Sequence, residues 1–130
     1  MKKKLAIGVD IGGSHISCAA VDLDTFNILD ETRTDRAVDN KEEADVIIGV
    51  WVQALKDVID KIPEGSLKGI GFGMPGPFDY VKGISYIKGV AKYEKLYGHD
   101  IKSAISRRLG FHNGFPVRFM NDVSTFAVGE

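Results

Sequence analysis

Residues 5–15 read LAIGVDIGGSH, and they direct the interpretation of the whole chain. The first five form a short apolar run that is typical of a buried strand. Gly12 and Gly13 then allow the main chain to approach a ligand and to direct N–H groups at it, and Ser14 adds a hydroxyl. The Asp10 carboxylate would repel a phosphate, so it fits this turn when a Mg²⁺ ion lies between them. The alternative is an ordinary Asp-Gly-Gly hairpin turn.

Two more strands and a helix follow this turn. Ile16 to Val21 and Asn27 to Arg33 read as strands, so three strands in quick succession predict an antiparallel meander. The period then changes, because apolar residues recur at helical spacing from Ile47 to Ile62. Asp39 and Glu42 resemble a capping pair ahead of that helix.

The second half of the chain repeats the alternation of strand and helix. Leu67 to Met74 reads as a buried strand that a forced turn, residues 75–77, ends. Residues 78–87 are interpreted as a hairpin, and a helix from Ile101 to Leu109 is closed by a glycine. Pro116 to Met120 is the last strand. This order predicts an α/β domain with a mixed five-stranded sheet, helices packed on it and a small hairpin.

A second glycine-rich segment, residues 71–79, reads GFGMPGPFD. Alternate glycines in a buried strand indicate the close approach of another backbone. The rigid turn that contains Gly76 and Pro77 would line the same cleft as the first turn. The alternative is a plain strand exit, and Asp79 is interpreted as a turn residue rather than a catalyst.

A third segment, Asn121-Asp122, lies where a strand ends and a helix from Ser124 to Glu130 is predicted to begin. A carboxylate there can accept a proton from a substrate hydroxyl during phosphoryl transfer. Asn121 offers a donor and an acceptor to a polyol. The alternative is a helix cap, which Asn and Asp often provide.

Each of the three segments ends a strand of one sheet, so all three can meet at one cleft. Together they resemble the N-terminal domain of the ROK family (repressors, open reading frames and kinases), which has the actin-like ATPase, or ribonuclease H-like, fold. Residues 8–14 resemble its first phosphate motif, and residues 71–79 match its G-x-G-x-P-G-P-x-D stretch. Asn121-Asp122, followed by Glu130, resembles its E-N-D-A-N…G-E segment.

The resemblance implies a role for each matching residue. Asp122 corresponds to the general base that acts on a sugar hydroxyl, commonly the 6-hydroxyl, and Asn121 to a residue that holds the sugar. Three further positions are implied to contact substrate, namely Gly76, Pro77 and Glu130. The positions implied to face Mg²⁺ and the ATP phosphates are Asp10, which would hold the ion through water, and Gly12, Gly13 and Ser14.

Three departures from the family pattern leave the identity of the sugar open. Met120 stands where the family has Glu, and Val123-Ser124 stands where it has Ala-Asn. Residues 89–97, GVAKYEKLY, occupy the sugar-facing loop without the asparagine that the family carries there.

The function that the resemblance implies is an ATP-dependent carbohydrate kinase. Residues 1–130 would be its N-terminal domain, and a C-terminal domain outside this chain would supply the adenosine site and a zinc-binding Cys/His cluster. The fragment alone is then expected to be inactive. The alternative is a sugar-sensing domain of a ROK-type transcriptional regulator. An unrelated actin-like scaffold or acyl-phosphate kinase is a third option, which the Pro-Gly-Pro and Asn-Asp segments disfavour.

Composition narrows the expected partners. The 130 residues carry 17 basic and 18 acidic side chains, so no electrostatic footprint for nucleic acid or an acidic membrane is visible. No apolar run approaches the ~20 residues of a membrane helix. The one cysteine, Cys18, fits a reducing cytoplasm and is interpreted as a buried small hydrophobe. Sugar and ATP are the expected ligands, and the resemblance allows a homo-oligomer.

Overall fold

A mixed five-stranded sheet organises the chain in the computed structural model, which describes residues 3–88 and 93–121. The strands of the sheet are β1 (Leu5–Ile11), β2 (His15–Asp22), β3 (Ile28–Ala37), β4 (Leu67–Met74) and β7 (Val117–Asn121). Their order is β3-β2-β1-β4-β7, with antiparallel pairing of β2 with β1 and β3 and parallel pairing of β4 with β1 and β7. The predicted fold class is confirmed.

The edge strand β3 is longer than predicted. This strand was predicted to end at Arg33, but it continues to Ala37, which pairs with His15. The register shifts between Cys18 and Ala20, and there the Thr32 hydroxyl accepts the Ala20 N–H at 2.8 Å. At the bulge, a side-chain oxygen thus replaces the backbone carbonyl that would otherwise accept this N–H. The polar strand can continue to Ala37 because a strand at the edge of a sheet needs little burial.

Two helices, α1 (Ala44–Ile59) and α2 (Ile101–Leu109), cover the sheet. The helix α1 packs on β2 and β3, α2 packs on β7, and the two helices contact each other. Trp51 is fully buried in α1, as its place on the apolar stripe predicts.

The predicted capping pair of α1 is wrong. The carboxylate of Asp39 accepts the Lys41 N–H at 3.0 Å, and its carbonyl accepts the Glu42 N–H at 3.1 Å. Asp39 therefore closes a turn before the helix, whose N-cap is Glu43 without a side-chain hydrogen bond.

The two faces of the sheet differ in side-chain size. Because side chains alternate along a strand, one face carries the buried apolar residues of the core, where the rings of Phe72 and Phe119 stack at 4.9 Å. On the other face, Gly8 lies opposite Gly71. The predicted close approach of another backbone is wrong at Gly71, where a Cβ atom would meet nothing within 4 Å, although a Cβ atom on Gly69, just outside that segment, would lie 3.3 Å from Pro116.

A small hairpin follows β4 and leans on α2. Its strands, β5 (Phe78–Asp79) and β6 (Ile84–Ser85), are shorter than the predicted strands, residues 78–81 and 84–87. The carbonyl of Gly83 accepts the N–H groups of Ile101 and Lys102 at 2.8 and 3.3 Å, so the hairpin satisfies donors at the start of the helix. Gly110 ends α2 with a φ of 71°, as predicted.

No helix among residues 3–88 and 93–121 has the length and hydropathy needed to span a bilayer.

Candidate functional site

The carboxyl ends of three adjacent parallel strands meet at one edge of the sheet. Asp10 of β1 is in register with Gly73 of β4, and Gly73 is in register with Met120 of β7. One residue further, Met74 is in register with Asn121, the last residue of β7. The structure therefore brings together the strand ends that precede the three predicted segments, at the edge where open α/β sheets bind ligands.

The glycine turn is built as the connection between β1 and β2. The Gly12 N–H donates to the His15 carbonyl at 2.8 Å, and the Ser14 carbonyl accepts the Val38 N–H at 2.9 Å. The backbone of Gly12 is outside the left-handed region, and a Cβ atom there would lie 3.4 Å from the His15 oxygen. That distance is an ordinary van der Waals contact, so neither a positive φ nor a steric clash with a described residue requires glycine at this position.

Two side chains that sequence reasoning missed hold the carbonyl groups of this turn. The Tyr93 hydroxyl donates to the Gly12 oxygen, and the Asn40 side-chain amide donates to the Gly13 oxygen. Burial raises the pKa of Tyr93 to about 12, so its hydroxyl keeps the proton that it donates. The sequence carried no signal for either contact beyond the presence of Tyr93 in the 89–97 loop.

The Pro-Gly-Pro turn is fixed by the hairpin beside it. The Tyr80 hydroxyl donates to the Met74 carbonyl at 3.1 Å, and the Tyr86 N–H donates to the Pro77 carbonyl at 3.1 Å. The Gly76–Pro77 peptide is cis, and a Cβ atom on Gly76 would lie 3.2 Å from the Tyr80 hydroxyl. Gly76 and Pro77 thus occupy a defined position just after β4.

Asp79 is a turn residue, as the sequence interpretation proposed. Its carboxylate accepts the N–H groups of Val81 and Lys82 at 3.1 and 2.9 Å. These bonds commit the side chain to the hairpin turn rather than to the strand ends.

Some predicted site residues cannot be placed. Asp122 and Glu130 lie outside the described residues, as does the predicted helix from Ser124. Among the residues that are described, Asn121 is exposed at the end of β7, and Asp10 is half-buried at the end of β1.

The chemistry of Asp10 fits a Mg²⁺ ion. A carboxylate oxygen is a ligand type that Mg²⁺ prefers, and the ion commonly keeps several waters with one or two carboxylates. Within residues 3–88 and 93–121, no group of three or more His, Cys, Asp or Glu side chains gathers to form a metal cage. The prediction that Asp10 holds Mg²⁺ through water stays a prediction.

Cys18 is placed for packing and not for reactivity. Its side chain is buried, and the thiol donates to the Ala54 carbonyl at 3.6 Å. Burial, with a smaller contribution from Asp35, raises its pKa to about 12. The group therefore stays a neutral thiol near pH 7, which agrees with its interpretation as a small hydrophobe.

Two open grooves lie away from the strand ends. One of about 470 Å³ is lined by polar side chains of β3 and α1, and one of about 510 Å³ lies between α2 and the start of β7. Neither includes a residue of the glycine turn or of the Pro-Gly-Pro turn.

Comparison with known structures shows the same fold in three proteins. A glucokinase from Parabacteroides distasonis is 21% identical, with a TM-score of 0.71 over 93% of this chain and 31% of that one. A ROK family glucokinase from Streptomyces griseus, in complex with glucose and AMPPNP, is 24% identical, with a TM-score of 0.69 over 91% and 33%. A ROK family transcriptional regulator, a homolog of the E. coli MLC protein, is 15% identical, with a TM-score of 0.71 over 97% and 30%.

These identities are low enough that the three likenesses show the fold alone, and the chain spans about a third of the length of each protein. A search of curated proteins finds no match. The sequence profile of the ROK family, however, matches residues 6–130. Since that match covers nearly the whole chain, the protein belongs to the ROK family.

Proposed function

We propose that the chain is the N-terminal domain of an ATP-dependent carbohydrate kinase, which transfers the γ-phosphoryl group of ATP to a sugar hydroxyl. The observation that carries the proposal is the register of the three parallel strands. It brings the end of β1, with Asp10, beside the ends of β4 and β7, with Asn121. Phosphoryl transfer depends mainly on positioning and on electrostatic stabilisation, which such an arrangement supplies.

The ATP side of the site is assigned to the glycine turn. The backbone of Gly12 and Gly13 and the hydroxyl of Ser14 would face the phosphates, and Asp10 would hold Mg²⁺ through water. The ion, when bound, neutralises charge on the phosphate oxygens. The residues of the turn would orient the phosphate chain and keep it in line with the acceptor hydroxyl.

The sugar side is assigned to the ends of β4 and β7. Asn121, which is in register with Met74, is close in the sheet to the turn that contains Gly76 and Pro77. Asn121 would hold sugar hydroxyl groups, with Gly76, Pro77 and Glu130 around the same ligand. Asp122 would take the proton from the attacking hydroxyl as the phosphoryl group is transferred.

The remainder of the kinase would lie in a C-terminal domain. That domain would supply the adenosine site and the zinc-binding Cys/His cluster, and closure over the cleft would exclude water from the reaction. The proposed location of the whole kinase is the cytoplasm, and its proposed ligands are ATP and a sugar. The proposal is compatible with a homo-oligomer.

A second candidate function is a sugar sensor in a ROK-type transcriptional regulator. The observation that favours it is the fold likeness to such a regulator, with a TM-score of 0.71. The presence of Asp10 beside a glycine turn favours the kinase, because a sensor that binds only sugar needs no phosphate site.

Two measurements on the full-length protein separate these functions. Release of ADP from Mg-ATP is followed across a panel of hexoses and amino-hexoses, and binding of each sugar is followed by calorimetry. The kinase proposal expects ADP release that depends on one or a few sugars. Sugar binding without ADP release, for every sugar that binds, would instead support the sensor.

A further inference from the structure

Two side chains that are not among the predicted site residues hold the glycine turn. The hydroxyl of Tyr93 donates to the carbonyl of Gly12, and the amide of Asn40 donates to the carbonyl of Gly13. These two carbonyl groups belong to the consecutive peptide units Gly12–Gly13 and Gly13–Ser14. Their orientation is therefore fixed by side chains from distant parts of the chain.

The two hydrogen bonds to the Gly12 and Gly13 carbonyl groups also fix the direction of the N–H groups in the same peptide units. In a planar trans peptide, the C=O and N–H bonds point in opposite directions. Because the Gly12 and Gly13 oxygens point towards Tyr93 and Asn40, the N–H groups of Gly13 and Ser14 point away from those side chains. Successive N–H groups that share one direction form a concavity that binds anions.

Asn40 and Tyr93 are also hydrogen-bonded to each other through their backbones. The Tyr93 N–H donates to the Asn40 carbonyl at 3.0 Å, and nearby the Lys95 ammonium pairs with the Glu43 carboxylate at 2.9 Å. The segment before α1 and the segment after residue 92 thus form one support behind the glycine turn.

The backbone of Tyr93 adds independent support for a special role. Its φ is 55°, in the left-handed region that bulky residues rarely adopt and that glycine adopts without strain. Its side chain is fully buried, with the ring 5.7 Å from that of Trp51. The ring packs the core, whereas the hydroxyl donates to the Gly12 carbonyl, so a mutation can remove the second contribution and keep the first.

We propose that Asn40 and Tyr93 are positioning residues that aim the N–H groups of Gly13 and Ser14 at the phosphates of the nucleotide. This inference rests on the proposed kinase function. It adds that part of the affinity for the phosphate chain depends on side chains that need not touch the nucleotide.

The test measures binding of the ATP analogue Mg-AMPPNP and of the accepted sugar to the full-length protein by calorimetry. Tyr93→Phe removes the hydroxyl and keeps the ring, and Tyr86→Phe, at an exposed tyrosine of the hairpin, is its matched control. Asn40→Ala removes the second grip without altering the ring contact, and Asn27→Ala in an exposed turn is its control.

We expect Tyr93→Phe and Asn40→Ala each to weaken Mg-AMPPNP binding by about 3- to 10-fold, the effect of losing one positioning hydrogen bond. Sugar binding should stay within about twofold, and the controls should bind both ligands like the wild type. A purely structural role would lower the fraction of active protein without changing the dissociation constant for AMPPNP. If Tyr93→Phe fails to fold, the dissociation constant of Asn40→Ala for Mg-AMPPNP still tests the proposal.

The outcomes separate this inference from the proposed function. If the wild type binds Mg-AMPPNP and both variants bind it equally well, the positioning roles are wrong and the kinase proposal stands. If the wild type binds sugar but no Mg-AMPPNP, both the kinase proposal and this inference are overturned.

Discussion

Asp10 on β1 stands opposite Gly73 on β4 in the parallel register. Gly8 and Gly71 face each other two residues earlier, on the same side of the sheet. Asp10 therefore has glycines as its neighbours along β1 and across to β4, whereas Ser17 lies opposite it on β2. Because the glycines have no side chains, the sheet is open beside Asp10 on the side of β4, where the proposed hydrated ion and phosphate chain would lie.

The first prediction concerns the charge of Asp10. In the full-length protein, Asp10→Asn should lower kcat for the accepted sugar about 100-fold or more, because the site loses the carboxylate that is proposed to hold Mg²⁺. Sugar binding should be almost unchanged. Steady-state ADP release at saturating sugar is the measurement.

Asp30→Asn is the control for this change, since Asp30 is exposed on the edge strand and pairs with Arg33 at 2.9 Å. It should turn over like the wild type. Turnover of Asp10→Asn within about threefold of the wild type would show that the carboxylate has no part in phosphoryl transfer.

The second prediction concerns Gly83 in the hairpin. A Cβ atom there would lie 2.5 Å from the Cβ of Lys102 and 3.0 Å from the Phe119 ring, and the φ of Gly83 is +75°. Gly83→Ala should therefore lower the free energy of unfolding by about 2–4 kcal/mol, from overpacking and backbone strain together. Urea unfolding followed by circular dichroism measures the change.

Gly98→Ala isolates the strain alone. Gly98 has a φ of +78°, but a Cβ atom there meets nothing within 4 Å. Its cost should be about 1–2 kcal/mol. Equal costs for the two substitutions would mean that Gly83 does not lie against α2 as the structure describes.

The third prediction concerns stability at alkaline pH. The pKa of Cys18 rises from 9.0 to about 12 in the folded protein, so between these values the unfolded chain releases the thiol proton while the folded chain retains it. Stability should fall as the pH rises through this window, by up to ~1.4 kcal/mol per pH unit from this group. Below pH 9 both the folded and the unfolded chain hold the thiol proton, so Cys18 gives stability no pH dependence there.

Cys18→Ala tests this directly when urea unfolding of both proteins is compared at several pH values. The variant is less stable overall because a buried side chain is truncated, but its stability should fall less steeply between pH 9 and 11. Parallel alkaline slopes in the two proteins would show that the thiol is not kept neutral by burial.

The fourth prediction concerns the 130-residue chain by itself. Half of the nucleotide site is proposed to lie in another domain, so the isolated chain should release no appreciable ADP with Mg-ATP and sugar. The full-length protein in the same assay is the positive control. Robust sugar-dependent ADP release by the isolated chain would contradict the proposed division of the site.

Much of the fold could be predicted from the glycine and proline residues that end strands and helices. The bounds of β4, Leu67 to Met74, were predicted correctly because a turn with Gly65 precedes the strand and Pro75 ends it. Gly110 likewise marks the end of α2. The prediction that Asp39 and Glu42 cap α1 was wrong because a helix-capping pair and a turn closed by Asp have the same residue types. Only the residue at which the helix begins distinguishes the two.

The site was less accessible to sequence reasoning. The strand ends near Asp10 and Asn121 could be predicted to within two residues because each residue follows an apolar run, although β1 ends at Ile11 rather than Val9 and β7 at Asn121 rather than Met120. The grip of Tyr93 on Gly12 could not, since it joins positions 81 residues apart through one side chain and leaves no periodic pattern. The roles of Asp122 and Glu130 stay predictions, because both residues lie outside the described part of the chain.

The most direct test of the central claim is the turnover of Asp122→Asn in the full-length protein. With wild-type protein and the accepted sugar, Mg-ATP should give ADP and sugar phosphate. Asp122→Asn should lower kcat about 100-fold or more, because the general base is lost, while the dissociation constant for sugar measured by calorimetry stays within a few-fold. Wild-type turnover that Asp122→Asn retains would contradict the account.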